Sequence, residues 1–492
     1  SATTFTGPNA IHDTITGARI YGNTGYFTSI TGTNISATTF TGPNAIHDTI
    51  TGARIYGNTG YFTSITGTNI SATTITGSAD SFFNTVRVGR GTGTNTNNTA
   101  VGVNALDSNI DGTQNTAVGF NVLTSNNGGR NTGVGYNSLQ VNTTASHNTA
   151  VGNNTLQANT TGASNTAIGS NSLGLNIVGI NNVGVGFQAL NNNTSGSNNI
   201  AIGYSALFLN NGNDNVAVGS TSLAANTSGI NNTAVGVNSL SANTTGVSNT
   251  AVGNGALSFN TTSSFNVALG SAALYSNITG ANNVALGRAA LFNNITGSNS
   301  TAVGYNSLLY ITAGNNTAIG VSSGNMGTTA AAGNGCTDCT FLGATSSANG
   351  AYTNSTAIGA NSTITASNQI RVGNANISQI IGAVAFTPAS DYRIKTNVIP
   401  LTSNYNVNKL NPVSYYNKLA LKQDIGFIAH EVQKEFPELV IGEKDGPDNQ
   451  ALNYMGIIPI LVKEIKELKQ REEILNTTLE SFRKRLELLE NV

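Results

Sequence analysis

Side chains able to do acid–base or nucleophilic chemistry are scarce in this chain and gather at one end. Of its 43 charged residues, 29 lie between Asp391 and Glu490; the first Lys is Lys395 and the first Glu is Glu431. The charged region opens with Pro388-Ala389-Ser390-Asp391-Tyr392-Arg393-Ile394-Lys395. Taken by itself, this run reads as a solvated linker whose Asp, Arg and Lys face water. Two cysteines, Cys336 and Cys339, stand in Gly-Cys-Thr-Asp-Cys. Structural zinc takes four ligands, and His12, His47, His147 and His430 are distant in sequence. The cysteines therefore read as an incidental or locally paired couple, with no metal and no cofactor expected. No phosphate-binding Gly-x-x-x-x-Gly-Lys occurs, and the many Gly-x-Gly fragments belong to repeat turns.

Upstream of about residue 389 the material is different: Asn, Thr, Gly, Ser, Ala and Val, with scattered Asp and Arg such as Asp13, Arg19, Arg87 and Arg371. Such polarity is compatible with disorder, but low net charge and strict apolar periodicity argue against it. A formal net charge of -1 gives no basic footprint for nucleic acid and no polybasic membrane patch. No run approaches the roughly 20 apolar residues of a membrane span, so neither nucleic acid nor membrane insertion is expected. Ser1, not Met, opens the chain, which points to a start trimmed by processing or by choice of boundaries.

Internal repetition governs the fold. Residues 1–35 and 36–70 are identical. Their short Thr/Ile/Phe/Tyr runs punctuated by Gly read as strands and turns, so residues 1–97 are expected to form a β-rich, modular shaft. From Asn98 a second repeat takes over. The block Asn-Thr-Ala-Val-Gly or a variant begins at Asn98, Asn115, Asn131, Asn148, Asn165 and onward to Asn316, every 17 or occasionally 16 residues. Three positions on sits a branched aliphatic (Val101, Val118, Val134, Val151, Ile168); eight on, a leucine from Leu106 to Leu308; eleven on, an asparagine from Asn109 to Asn294. Asn, Gly and Thr are poor helix formers, and a β-solenoid explains the pattern. Each block makes one rung, and rungs stack at about 4.8 Å. Val and Leu are then expected to form apolar ladders along the axis and Asn an amide ladder, with Gly supplying positive φ at corners. On that spacing fourteen rungs span roughly 65 Å. The Asn-x-Ser/Thr triplets, as at Asn159, read as turn chemistry.

One rung carries only two or three sizeable apolar side chains, so a single thin coil has a poor core, and association of three chains is the expected remedy. The block resembles the Asn-Ser-x-Ala-x-Gly repeats of trimeric autotransporter adhesin heads, over about residues 98–373, although those repeats are usually shorter. The resemblance implies a trimeric β-roll. The β-barrel anchor that ends such adhesins is not read in this chain.

A set of motifs follows residue 389 in fixed order: Ser390-Asp391-Tyr392-Arg393-Ile394-Lys395; Leu410-Asn411-Pro412-Val413; Asp424-Ile425-Gly426-Phe427-Ile428-Ala429-His430-Glu431-Val432; Phe436-Pro437-Glu438-Leu439-Val440; and Leu452-Asn453-Tyr454. The set is similar to the intramolecular chaperone auto-processing domain of phage endosialidases, tail spikes and neck appendages, over residues 389–492. His430 stands where Gln is commoner, a departure of little expected consequence. The resemblance makes Ser390 the nucleophile and Lys395 the general base of self-cleavage, supported by Asp391 and Arg393, with the cut at Ala389, Ser390 or Asp391. A serine hydroxyl is a weak nucleophile until a base takes its proton. Lysine serves only where burial or a cationic neighbour lowers its pKa from about 10.4 toward neutrality. Arg393 is either such a neighbour or the partner of a carboxylate. On a regular strand Ser390 and Lys395 face opposite sides, so a turn or a neighbouring subunit must bring them together. Attack by Ser390 on the Ala389 carbonyl gives an N-to-O shift; a cut after Ser390 needs another geometry.

The end of the chain, within 452–492, is a helix. Leu461, Ile465, Leu468, Leu475, Leu479, Phe482, Leu486 and Leu489 follow alternating four and three steps, with Glu472 at one seam position. That is a heptad seam, and its Lys/Glu/Arg flanks favour a coiled coil over a face buried in a globular domain. The expected fold is mainly β: a trimeric β-solenoid or β-roll fibre, a linker at 374–388, and a C-terminal α+β chaperone domain (389–492) ending in a coiled-coil helix. The expected function is that of a homotrimeric viral or phage fibre, displayed on the virion surface for host attachment through a receptor or glycan. Its chaperone aligns three chains and is then released by Ser-Lys autoproteolysis. The alternatives are a bacterial surface adhesin using the same chaperone and a glycan-degrading tail spike.

Overall fold

The structure, a computed structural model, describes residues 86–92, 97–325, 335–377, 380, 390–418, 422–446 and 449–490, and upstream of Val86 only the backbone of short strands. Two compact units make up the chain, Ser1–Val178 and Gly179–Val492.

In the first unit the duplicated stretch forms parallel ladders. Ile15 pairs with Ile30, Ile30 with Ile50 and Ile50 with Ile65. Partners lie 15 and then 20 residues apart, so each 35-residue copy supplies two turns. The chain direction then reverses. Ser81–Phe83 pairs antiparallel with Val86–Gly89, and Val86–Gly89 antiparallel with Thr99–Gly102. This hairpin covers the edge of the first regular rung, where an open strand would invite further pairing. Arg87, 6% exposed, meets Asp107 at 2.8 Å, which supplies the partner a buried charge requires. Beyond it the strands are parallel and in repeat register: Thr99 with Thr116, Thr132 with Thr149, Thr149 with Thr166.

Rung anatomy is the same in both units. The second residue after the rung-opening Asn points inward; Ala117 and Ala150 in the first unit and Ala217 and Ala251 in the second are fully buried. The branched aliphatic beside it points outward, 42% exposed at Ile168, 42% at Ile202 and 44% at Leu269. Of the two apolar ladders expected along the axis, the one beside alanine therefore runs up the outer face, while the leucine ladder is buried. The reason is the narrow interior: a Cβ on Gly133, at the alanine place, would lie 2.5 Å from Val122 Cγ1, 3.5 Å from Ser138 Oγ and 3.6 Å from Leu123 Cδ1, so the side chains facing this place leave room for only the smallest residues. Those leucines are fully buried yet left-handed, with φ of 51° at Leu123 and 52° at Leu257. The conformation costs about 1–2 kcal/mol, and burying the side chain recovers about 1.5–3 kcal/mol.

Two amide columns bind rung to rung. The asparagines from Asn109 to Asn176 in the first unit, and from Asn193 to Asn294 in the second, each donate Nδ2 to Oδ1 of the preceding one at 2.6–3.2 Å. The rung-opening asparagines form the second column. Asn131 N–H donates to Asn115 Oδ1, and Asn249 N–H to Asn232 Oδ1. Glycine is required where a corner closes on its neighbour: Gly236 has φ 132°, and a Cβ there would sit 2.6 Å from the Gly253 carbonyl oxygen. Where the leucine column ends at Leu308, Gly324 takes its place, and the buried Phe341 ring of the following rung fills the space at the alanine position.

The second unit also holds the C-terminal elements. Val413–Asn417 and Lys422–Gly426 form an antiparallel hairpin. A short helix follows at Ala429–Glu435, then the pair Val440–Ile441 with Ala451–Leu452, and a long helix at Ile457–Glu490. The long helix begins later than residue 452 because Leu452 is held in that strand pair, while Asn453 caps a 3-10 turn by accepting from Gly456 N–H. Val432, Phe436, Leu439, Val440, Ile457 and Ile460 make a small core. From Leu461 onward every seam residue is exposed, from 44% at Leu461 to 75% at Leu489. The seam is therefore not the buried face of a globular domain.

Candidate functional site

Asp391 organises the turn that precedes the hairpin. Its extended backbone (φ -65°, ψ 140°) caps the 3-10 turn Tyr392–Ile394, and its Oδ1 accepts from Arg393 N–H at 2.8 Å. Asp is favoured at such a cap because its carboxylate reaches backbone donors that the turn leaves open. Arg393 folds back onto the same carboxylate, Nε to Oδ1 at 2.9 Å and Nη2 to Oδ2 at 2.7 Å, a two-pronged pair. The Arg393 side chain, then its backbone N–H, hold the Asp391 carboxyl below the usual carboxylate range. Arg393 is thus the partner of a carboxylate.

The turn closes with Lys395 N–H donating to the Tyr392 carbonyl at 3.1 Å. That reversal carries the Lys395 side chain back to the start of the motif, where Nζ donates to Ser390 Oγ at 2.6 Å. The structure brings Ser390, Asp391, Arg393 and Lys395 together within one chain; Ala389 lies outside the described residues. Ser390 and all ten residues that follow are exposed. The exposed neighbours include large apolar groups: Tyr392 at 82%, Ile394 at 65%, Val398 and Ile399 at 77% each. The backbone carbonyl of Tyr392, which anchors Lys395, carried no signal in the sequence. The Asp-x-Arg spacing that makes the turn did carry one, as an Asp cap.

The remaining motifs build the support. Gly426 is needed because a Cβ there would collide with the Tyr454 hydroxyl, which accepts from Phe427 N–H at 3.1 Å. Val432, Phe436, Leu439 and Val440 are the core itself. Asn411 donates to Glu431 at 3.4 Å, tying the segment before the hairpin to the short helix. His430 lies half-buried on that helix. Val407, Leu410, Pro412, Phe427, Tyr454, Ile457, Ile458 and Leu461 line an apolar hollow at the base of the long helix. Among the described residues no three His, Cys, Asp or Glu side chains converge as a metal site, and no helix is long and apolar enough to cross a membrane.

Fold and site together are those of a β-solenoid carrying a C-terminal chaperone-type domain. Residues 390–441 match the Peptidase_S74 family, described as the chaperone of endosialidase. The match begins at Ser390, takes in the turn at Tyr392–Ile394, the hairpin and the short helix, and implies a domain of self-cleaving serine peptidase type. Such a domain on a β-solenoid fits a phage tail-fibre-type protein. No curated protein matches the chain.

Proposed function

We propose that this chain is the precursor of a trimeric virion fibre used in host attachment, whose C-terminal domain aligns three chains and is then cut away by its own Ser390–Lys395 dyad. The observation that carries the proposal is the 2.6 Å contact between Lys395 Nζ and Ser390 Oγ, made inside the residues that match the chaperone family. In the single chain the amine donates to the hydroxyl. For catalysis it must be neutral and accept the Oγ proton, which requires burial or a cation nearby. Arg393 is engaged with Asp391, so the burial comes from a neighbouring chain, laid over Tyr392, Ile394, Val398 and Ile399. Cleavage then waits for assembly. Support for three chains comes from two unsatisfied apolar surfaces, the outward aliphatic column of the solenoid and the exposed helix seam.

A denaturing gel of freshly expressed protein tests the dyad. Wild type releases the stretch between the motif and Val492, whereas Ser390→Ala and Lys395→Ala stay full length and still trimerise. Lys395→Arg also stays uncut, because guanidinium is not a base near neutral pH. Wild type that forms trimers without shortening refutes self-cleavage. Shortening of Lys395→Arg at the wild-type rate points to a contaminating protease. Sedimentation at a mass other than three times 50.3 kDa for an uncut variant refutes the trimer.

A further inference from the structure

The two cysteines occupy places that the repeat defines. Asn316 Oδ1 accepts from Cys339 N–H at 3.1 Å, and Asn316 Nδ2 donates to the Cys336 carbonyl at 2.7 Å. In a regular rung Asn249 does the same for Asn266 N–H and the Ser263 carbonyl. Cys336 and Cys339 thus stand where Ser263 and Asn266 stand, and there Asn266 Nδ2 donates to Ser263 Oγ at 2.9 Å. Side chains at these two places converge within one rung. Both cysteines are buried, at 0% and 1% exposure, and both are free thiols. They precede the strand Thr340–Leu342, whose Thr340 pairs with Thr317, 23 residues earlier, against 16 or 17 in the regular rungs.

We propose that Cys336 and Cys339 are a disulfide-forming pair, closed during folding by exchange with a low-molecular-weight disulfide, that locks the four-residue corner Cys336–Cys339 leading into the strand Thr340–Leu342. Tyr352 N–H donates to Cys336 Sγ at 3.4 Å, while the Cys336 thiol donates to the Gly350 carbonyl at 3.5 Å and the Cys339 thiol to the Thr337 and Tyr352 carbonyls at 3.4 Å each. Ionised, either sulfur displaces one thiolate from glutathione disulfide and forms a mixed disulfide. The other cysteine, losing its proton to that departing thiolate, then attacks the first sulfur and expels the second glutathione thiolate, which is protonated from solvent. Two electrons pass from the protein to glutathione disulfide, one S–S bond breaks and one forms. Once the rung is packed, both sulfurs are out of reach of a soluble reductant.

The experiment compares the full chain folded with and without glutathione disulfide, then unfolded in an alkylating reagent and weighed intact. With the oxidant, the expected count falls from two alkyl groups per chain to none, and reductant added to the folded protein leaves it at none. Reductant added after unfolding restores two. Cys336→Ser and Cys339→Ser are each expected to retain one glutathione per chain, because nothing resolves the mixed disulfide. Two alkyl groups on the oxidant-folded wild type would overturn the proposal, as would chain-to-chain cross-links on a non-reducing gel. Variants that carry no glutathione would overturn the exchange step. Loss of the disulfide on reducing the folded protein would overturn the sealing of the rung. The wild-type counts stand whether or not either variant folds.

Discussion

The solenoid and the C-terminal domain solve opposite problems. In the solenoid nearly every contact joins one rung to the next, through parallel strands, amide columns and stacked corners. Its rungs are close copies of one another, so a slip by a whole rung preserves most pairings, and register is weakly specified where patterns repeat. The terminal domain has a six-residue core and a helix that packs little of its own seam, so it adds modest stability. Its sequence, however, does not repeat. A heptad seam interrupted at Glu472 aligns with a partner in few ways. On the proposed function, stability resides in the part that cannot set register, and register is set by the part that contributes little stability, which is the physical case for proposing a folding aid that is later dispensable.

The largest expected effect comes from removing the register device. A chain ending before Asp391 is expected to yield no soluble fibre, whereas the same residues lost after folding leave fibre intact. Solubility and sedimentation of the two preparations decide this. A truncated chain that folds normally, with native heat resistance, would end the proposed division of labour. Leu479→Asp sharpens the comparison. It places a charge in the exposed seam, touches no solenoid residue, and is expected to reproduce the truncation.

Next come changes inside the solenoid, made in full-length chains so that alignment is unaffected. Gly236→Ala puts a side chain at φ 132° and against the Gly253 carbonyl, with an expected cost of about 3 kcal/mol or more. Asn243→Ala removes the acceptor of Asn260 Nδ2 and the donor to Asn226 Oδ1 and the Gly246 carbonyl. Leaving such buried groups unpaired costs about 1–3 kcal/mol each. Both variants are expected to trimerise and to lose heat resistance, read as the half-life of the released fibre at raised temperature. Loss of trimer with unchanged heat resistance would reverse the comparison.

Much of this was legible in the sequence because repetition amplifies weak signals. A single buried Asn says little, but Asn109 through Asn294 at a spacing of 16 or 17 residues announced an amide ladder, and each unit has one. The same spacing left the direction of side chains open. A small residue, usually Ala, stands beside a branched aliphatic in most of the solenoid strands, and only the narrowness of the roll, lined by leucines in a left-handed conformation that sequence does not advertise, puts Ala117 inside and turns Ile168 outward. At the site, the family resemblance pointed to Ser390 and Lys395 without saying how they meet, and the residue types alone read as a solvated linker. The answer is a short turn whose sequence mark is an Asp cap two residues before Arg393.

The smallest expected effect tests whether that cap only holds the turn. Arg393 depresses the Asp391 carboxyl, so the ion pair is fully present above the ordinary carboxylate pKa of about 3.9 and is lost as pH falls through the lower value of the folded turn. Between pH 5 and 8 the Asp391–Arg393 pair is therefore expected to leave the cleavage rate unchanged with pH, and any slope there belongs to other groups. Asp391→Asn keeps an oxygen for Arg393 N–H but loses the charge. Because the pair is exposed and screened by solvent, cleavage is expected to slow only about two- to five-fold, against complete loss for Ser390→Ala. High salt is expected to narrow even that difference, since screening weakens an exposed pair. The measurement is the rate of appearance of the C-terminal fragment at several salt concentrations. An Asp391→Asn chain as inert as Ser390→Ala would place Asp391 in the chemistry itself and not in the turn that aims Lys395.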